Sequence, residues 1–440
     1  MAKSVHLFTV WLLAISLLLH PVLACGNHRT SQAASATTTS SSSGSSHTQP
    51  SARTTSQPAH SSSSSSSSSS GQKLSAYVVD WDLPKSIAWD KVDHILYAFA
   101  EPTKDGELSG FTASQLKSVA QEAHSKGKII SLSVGGWTGS LYFSDLLKSS
   151  SSFDKFVSNL VDAVKEYNLD GLNLDWEYPN SPNGVACNSK DENDTANYLK
   201  LFKALREKLG SKVLLTTAVS TAPFNNENQQ PSTKLDADWA STVDAFYIMA
   251  YDVNGVWDKN AGPNAPLYYS TKATGIEPTS GSDAVKAWNA AGIPLEQIVL
   301  GVPFYGRVSK TLEPVTASSG LYVPISQTSQ IKGDSSDEKA ADPCPNAEAS
   351  YSGQYTWRSI AAQGIARNSS GWETYWDDIS KTPYAYTSTG SKVLSFDDTA
   401  SLQDKVEYAK KQGLGGVMLW SLEMDDDENT LLNALQGIRK

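Results

Sequence analysis

The sequence predicts an α/β protein that closes into a (β/α)8 TIM barrel, with a small α+β insertion domain between strand 7 and strand 8. Three observations predict it. From position 73 onward, short apolar runs alternate with helical stretches, a pattern that pairs strands in parallel through βαβ units. Eight such runs occur and no Gly-rich phosphate-binding turn follows the first, which favours a closed barrel over an open dinucleotide-binding sheet. The spacing is regular except once, where more than eighty residues separate Arg307 from Leu394, too many for a plain loop.

The elements run in order along the chain. Lys3, the apolar stretch 7–19 and the small-residue site at Val22-Leu23-Ala24 read as an export signal over 1–24, too short for a membrane span. Lipid attachment at Cys25 is the rival reading of the same junction. Residues 25–72 are dominated by Ser and Thr, with an unbroken serine run at 61–70. So few apolar side chains cannot offset the entropy of ordering the chain, and the segment reads as a flexible, O-glycosylated stalk. Strands are predicted at 74–80, 94–100, 128–135, 171–177, 213–220, 245–251, 298–305 and 416–422, with helices at 113–126, 153–167, 194–209 and 282–291. The barrel then comprises 73–307 and 391–440, and the insertion 308–390. Asn193-Asp194-Thr195 and Asn368-Ser369-Ser370 are N-glycosylation sequons. Of the three cysteines, Cys187 and Cys344 either pair across the fold or remain free thiols.

Composition narrows the chemistry. A formal net charge of −10 argues against a nucleic-acid partner, which calls for a basic face. Of seven histidines, only His94 and His124 fall inside the barrel, so Ser-His-Asp catalysis or a histidine-rich metal site is hard to assemble. Catalysis is left to carboxylates, with no cofactor and no metal. Twelve tryptophans and eighteen tyrosines offer flat surfaces suited to sugar rings, although most aromatics are core. Trp357, Trp372 and Trp376 are assigned to the core of the insertion, and Asp425-Asp426-Asp427-Glu428 to a solvated helix start.

Barrel enzymes place their chemistry at the C-terminal strand ends. The fourth strand reads Asp170-Gly171-Leu172-Asn173-Leu174-Asp175-Trp176-Glu177-Tyr178-Pro179. Alternation puts Asn173, Asp175 and Glu177 on one face, turned into the barrel, and Leu172, Leu174 and Trp176 on the other, beneath the helices. Buried acids are costly unless paired or functional. Two carboxylates on one wall cannot bracket a sugar from opposite faces, so one protonates the leaving oxygen and the nucleophile comes from elsewhere. A 2-acetamido group of the substrate would serve, an exception to the usual two-carboxylate scheme.

With these residues the chain resembles glycoside hydrolase family 18, the chitinase family, whose DGxDxDxE signature the fourth strand matches. Ser131-Leu132-Ser133-Val134-Gly135-Gly136-Trp137 is similar to the family's third strand and Met249-Ala250-Tyr251-Asp252 to its sixth. Phe304-Tyr305-Gly306-Arg307 is similar to the seventh and Gly415-Gly416-Val417-Met418-Leu419-Trp420 to the eighth, and Phe396-Asp397-Asp398 to the segment after the insertion. The resemblance implies Glu177 as general acid and base, Asp175 as the group that steers the acetamido moiety, and Tyr251 as its hydrogen-bond donor. It implies sugar-binding positions at Met249, Asp252, Gly136, Tyr178, Tyr305, Arg307, Tyr77 and Phe99. Trp420 becomes the floor under the sugar, and Trp137 and Trp257 become stacking surfaces on the leaving-group side. Asn173 departs from the family's aspartate. An amide there can still hydrogen-bond Asp175 but removes like-charge coupling, so Asp175 is expected to ionise more readily. The resemblance thus implies a secreted monomer, free or cell-wall-associated, acting on chitin and chitooligosaccharides, with no nucleic acid and no membrane span. A chitin-binding lectin and an endo-β-N-acetylglucosaminidase are the alternatives.

Overall fold

The computed structural model describes residues 72–440, apart from 272 and 370; the export signal, Cys25 and the stalk up to 71 lie outside the described residues. Eight parallel strands form the barrel: β1 (Lys73–Val79), β2 (His94–Pro102), β3 (Ile129–Gly135), β4 (Gly171–Asp175), β5 (Leu214–Val219), β6 (Ala245–Ile248), β7 (Ile298–Pro303) and β8 (Gly416–Trp420). Each pairs with the next, and β1 also pairs with β8, which closes the ring. Helices α1 (Ala113–Ser125), α2 (Ser150–Glu166), α3 (Asp194–Leu209), α4 (Gly281–Ala290) and α5 (Thr399–Gln412) lie between successive strands. The sequence-derived alternation holds on β4. Leu172 and Leu174 are buried, and Trp176 stacks on Phe143 at 5.2 Å and meets Tyr198 of α3 edge-on at 5.2 Å.

Six strands stop one to three residues short of expectation, and two of these endings bear on the site: β4 at Asp175 and β6 at Ile248. Past these points the backbone leaves the ladder for local partners. The Glu177 amide donates to Ser140 Oγ at 2.8 Å, and the Ala250 amide turns back to the Ile248 carbonyl at 2.9 Å. Glu177, Tyr251 and Asp252 thus stand on strand exits rather than on strands.

Between β7 and β8 the chain builds a five-stranded antiparallel sheet, in the order Gln354–Thr356, Tyr305–Lys310, Lys392–Ser395, Thr382–Thr387, Trp372–Asp377. The strand Tyr305–Lys310 begins two residues after β7 ends, so the sheet is a direct extension of a barrel strand. Of the three tryptophans assigned to the core of the insertion, Trp357 and Trp372 are buried, but in the cluster continuous with the barrel core, and Trp376 is half-buried. Gln72, placed by sequence in the stalk, donates its side-chain amide to the Leu414 carbonyl at 2.8 Å. The acidic run is not simply solvated. Asp425 is buried and accepts the Leu432 amide at 2.8 Å, and Asp426 accepts the Trp357 indole at 2.9 Å. Two of its acids are therefore helix-capping and bridging groups.

Candidate active site

A cleft of 370 Å³ opens at the C-terminal ends of the strands, and Asp175, Glu177, Tyr178, Met249, Tyr251, Asp252, Tyr305, Arg307, Phe99, Trp137, Trp257 and Trp420 line it. All of these were site candidates. Three others lie beneath it: Asn173 and Tyr77 are buried in the barrel, and Gly136 is buried against the Phe99 ring. Each supports a lining residue and does not itself face the cleft.

The turn at the top of β3 makes close approach possible. Gly135 has φ +113°, and a Cβ there would come within 2.1 Å of the Asp175 carbonyl oxygen. Gly136 has φ +79°, and its Cβ would meet the Phe99 ring at 2.8 Å. Only glycine allows both the conformation and the contact. The fourth-strand acids and the aromatic floor can therefore converge on one corner.

Both acids are buried. Asp175 Oδ1 and Glu177 Oε1 have no hydrogen-bond partner in the protein. Burial pushes the Asp175 carboxyl up to about 7, with a hydrogen bond from Tyr77 pulling the other way. Glu177 is held well above the ordinary carboxylate range by burial first and by the charge of Asp175 second. Glu177 is thus a carboxylic acid, ready to donate, over a wide pH range. Burial likewise raises the Tyr251 hydroxyl, which keeps its proton and remains a donor.

Asn173 does not hydrogen-bond Asp175. Its two amide hydrogens go to Tyr77 Oη and Ser133 Oγ, both at 2.8 Å, and its oxygen accepts Thr216 Oγ1 at 3.0 Å. Every N–H of the amide is occupied, which is why none reaches Asp175. The amide instead makes Tyr77 an acceptor on one side and frees the Tyr77 proton for Asp175. Burial raises the Asp175 carboxyl, and the expected easier ionisation is a difference from an aspartate at 173, which Asn173→Asp measures.

The remaining lining residues are tied in pairs. Arg307 Nε donates to Asp252 Oδ1 at 2.7 Å and its guanidinium lies 5.2 Å from the centre of the Tyr305 ring. Asp252 is therefore committed to a cation. Trp420 stacks near Phe99 with ring centres 5.5 Å apart, and Tyr77 meets Trp420 edge-on at 5.0 Å. Sequence reasoning missed Trp81, which is 40% exposed and stacked at 6.4 Å on Phe99. It sits in a 3-10 turn beyond β1, Asp80–Asp82, where no strand pattern marks it. Asn183 and Gly184 of the loop after β4 also line the cleft and were missed. Cys187 and Cys344, left open by sequence, are joined by a disulfide. Among the described residues, no group of three or more His, Cys, Asp or Glu side chains could hold a metal, and no helix is long and apolar enough to cross a membrane.

Comparison with known proteins gives a consistent result. The family model described as glycosyl hydrolases family 18 matches residues 64–425. A "chitinase-like effector" of Moniliophthora perniciosa is 36% identical, with 80% of this chain and 83% of that protein covered. Chitinase A1 of Niallia circulans is 35% identical over 77% of this chain and 46% of its own length. A crystal structure of a chitinase from Rhizomucor miehei is 89% identical and has a TM-score of 0.83, covering 84% of this chain and 100% of that one.

Proposed function

The chain belongs to glycosyl hydrolases family 18, and from that membership we propose that it is a chitinase, cutting β-1,4 linkages between N-acetylglucosamine units with retention of configuration. One observation carries the mechanism. The two buried acids stand on the same wall, each with a partnerless oxygen. The remaining carboxylates lining the cleft are Asp252, paired with Arg307, and Glu277, which is exposed at the rim. Among the described residues, no further buried carboxylate lines the cleft unpaired, so the nucleophile in this reading is the acetamido oxygen of the substrate itself.

In this reading Glu177 gives its proton to the glycosidic oxygen as the bond to the anomeric carbon breaks. The acetamido oxygen closes onto that carbon as an oxazolinium ion. Asp175 accepts the acetamido N–H and compensates the positive charge, while the Tyr251 hydroxyl donates to the acetamido oxygen. Glu177, now a carboxylate, takes a proton from the water that reopens the ring. Trp420 supplies the apolar floor, and Trp81 and Phe99 continue the aromatic path outward from it. Trp137 and Trp257 receive the leaving sugar. All these residues come from one chain, which is consistent with a monomer. The disulfide supports export, because such bonds persist in oxidising compartments. Asn193 and Asn368 are exposed, as glycan acceptors must be; the last residue of the second sequon, Ser370, lies outside the described residues.

The test is product analysis on defined chitooligosaccharides by NMR, comparing wild type with Glu177→Gln. The reading requires β-anomers first and near-total loss in the variant. Turnover of fully deacetylated oligomers at the same rate would refute it. Binding without turnover in the wild type would favour the lectin reading.

A further inference from the structure

The hydrogen bond between Trp137 and Asp342 has no counterpart in the chemistry above. Trp137 belongs to the exit of β3; Asp342 comes from the insertion, 205 positions along the chain, and its Oδ1 accepts the indole N–H at 2.8 Å. Asp342 stands in a turn closed by the reciprocal backbone bonds of Ala340 and Ser350, at 3.0 and 2.9 Å. No helix and no ladder strand lies between Ser319 and Gln354, so little regular structure holds the turn still. Two residues after Asp342, Cys344 is bonded to Cys187 in the loop after β4, with Cα atoms 5.6 Å apart. That loop is itself fixed to the segments that follow β3 and β4. Asn188 donates to the Glu177 carbonyl at 2.8 Å, and the Ser189 hydroxyl donates to the Leu141 carbonyl at 2.9 Å.

We propose that Asp342 is a positioning residue for the Trp137 indole, that the Cys187–Cys344 disulfide holds it there, and that this clamp sets how firmly the sugars beyond the scissile bond are gripped. The inference rests on the assignment of Trp137 to the leaving-group side. The physical reason is entropic: an irregular turn keeps a carboxylate at hydrogen-bond distance from a distant indole only if its own freedom is already restricted, and a cross-link supplies that restriction. An oriented ring presents its face to a sugar at lower ordering cost than a mobile one. The carboxylate also suits the task chemically. An anionic acceptor makes a stronger bond to an N–H than a neutral one.

The test separates grip from chemistry by the size of the leaving group. Chitohexaose reaches Trp137, whereas chitobiosyl fluoride expels a single atom and does not. For Asp342→Leu and for the Cys187→Ser/Cys344→Ser pair, KM on chitohexaose is expected to rise about tenfold, the weight of one charge-assisted hydrogen bond. Kinetics on chitobiosyl fluoride should stay at the wild-type level. Asp342→Asn keeps a carbonyl acceptor and should restore most of the affinity. Dithiothreitol reduces the disulfide to two thiols and is itself oxidised to its cyclic disulfide. It should move wild type to the behaviour of the cysteine-pair variant and leave that variant unchanged. An unmoved hexaose KM in Asp342→Leu, or an equal loss on both substrates, overturns the clamp while the hydrolase reading stands. If wild type cleaves neither substrate the hydrolase reading fails instead, and hexaose binding by calorimetry, weakened about tenfold or not in the same variants, still decides the clamp.

Discussion

Two polar layers stand inside the same barrel and differ in one respect. In the lower layer, His94 bridges Tyr247 Oη at 3.1 Å and Ser131 Oγ at 2.8 Å, and Ser75 reaches Tyr247 at 3.3 Å. In the upper layer, Asp175 and Glu177 each retain a buried oxygen without a partner. Both layers are equally buried, so burial alone does not distinguish structure from function. Completion of the hydrogen-bond set does: the lower layer satisfies itself, and the upper one is completed by what enters the cleft. Asn173 is the seam, fully satisfied below and bearing through Tyr77 on Asp175 above.

Burial also drives the layers in opposite directions with pH. His94 is lowered to about 3 by burial and by nearby Lys73, so its contribution is present above its unfolded value and is lost as pH falls toward 3. Asp175 is raised to about 7, so its contribution is present below its unfolded value and is lost as pH rises through 7.

The sharpest way to break this contrast is Glu177→Gln, which should lower turnover of chitooligosaccharides by about 10² to 10⁴-fold without lowering Tm at pH 8. A variant that lost stability in proportion would show the upper layer to be structural. Asp175→Asn should lower turnover about 100-fold, a hydrogen-bonding and charge effect at the intermediate. Its Tm should exceed wild type by roughly 5 °C above pH 7, with the gain vanishing below pH 4. A pH-independent Tm difference would contradict the raised carboxyl. At the seam, Asn173→Leu strands Tyr77 and Ser133 and should cost about 1–3 kcal/mol in urea unfolding. It should also shift the acidic limb of the rate profile upward, since Asp175 loses the oriented Tyr77 proton. Asn173→Asp probes the same limb, and a profile superimposable on wild type would remove position 173 from the tuning of Asp175. The smallest effect belongs to the lower layer. Ser131→Ala should cost about 1 kcal/mol in stability with kcat unchanged, and a large fall in kcat would merge the two layers into one.

How much of this was legible in the sequence depended on range. The period-two pattern at 171–177 located Asp175 and Glu177 because strand alternation is local, and the similarity of 131–137 to the family's third strand pointed to Trp137. The partners of Asn173 were not legible. Tyr77, Ser133 and Thr216 lie on three other strands, and only ring closure brings them together. The same holds for Asp342, whose contact with Trp137 crosses from insertion to barrel, and for Trp81, which occupies an irregular turn. The strands ended early for a related reason: alternation continues on paper past Asp175, but the Ser140 hydroxyl captures the Glu177 amide before the ladder can.

The passage from β7 into the inserted sheet has a mechanical consequence. With Phe304 alone between Pro303 and Tyr305, one jaw of the groove is spliced to a stave of the barrel. The joining residue is itself held on both sides, its amide donating to the Trp420 carbonyl and its carbonyl accepting the Trp357 amide, both at 2.8 Å, so swinging the sheet means breaking these bonds. A wall joined in this way resists being pushed aside by an incoming chain.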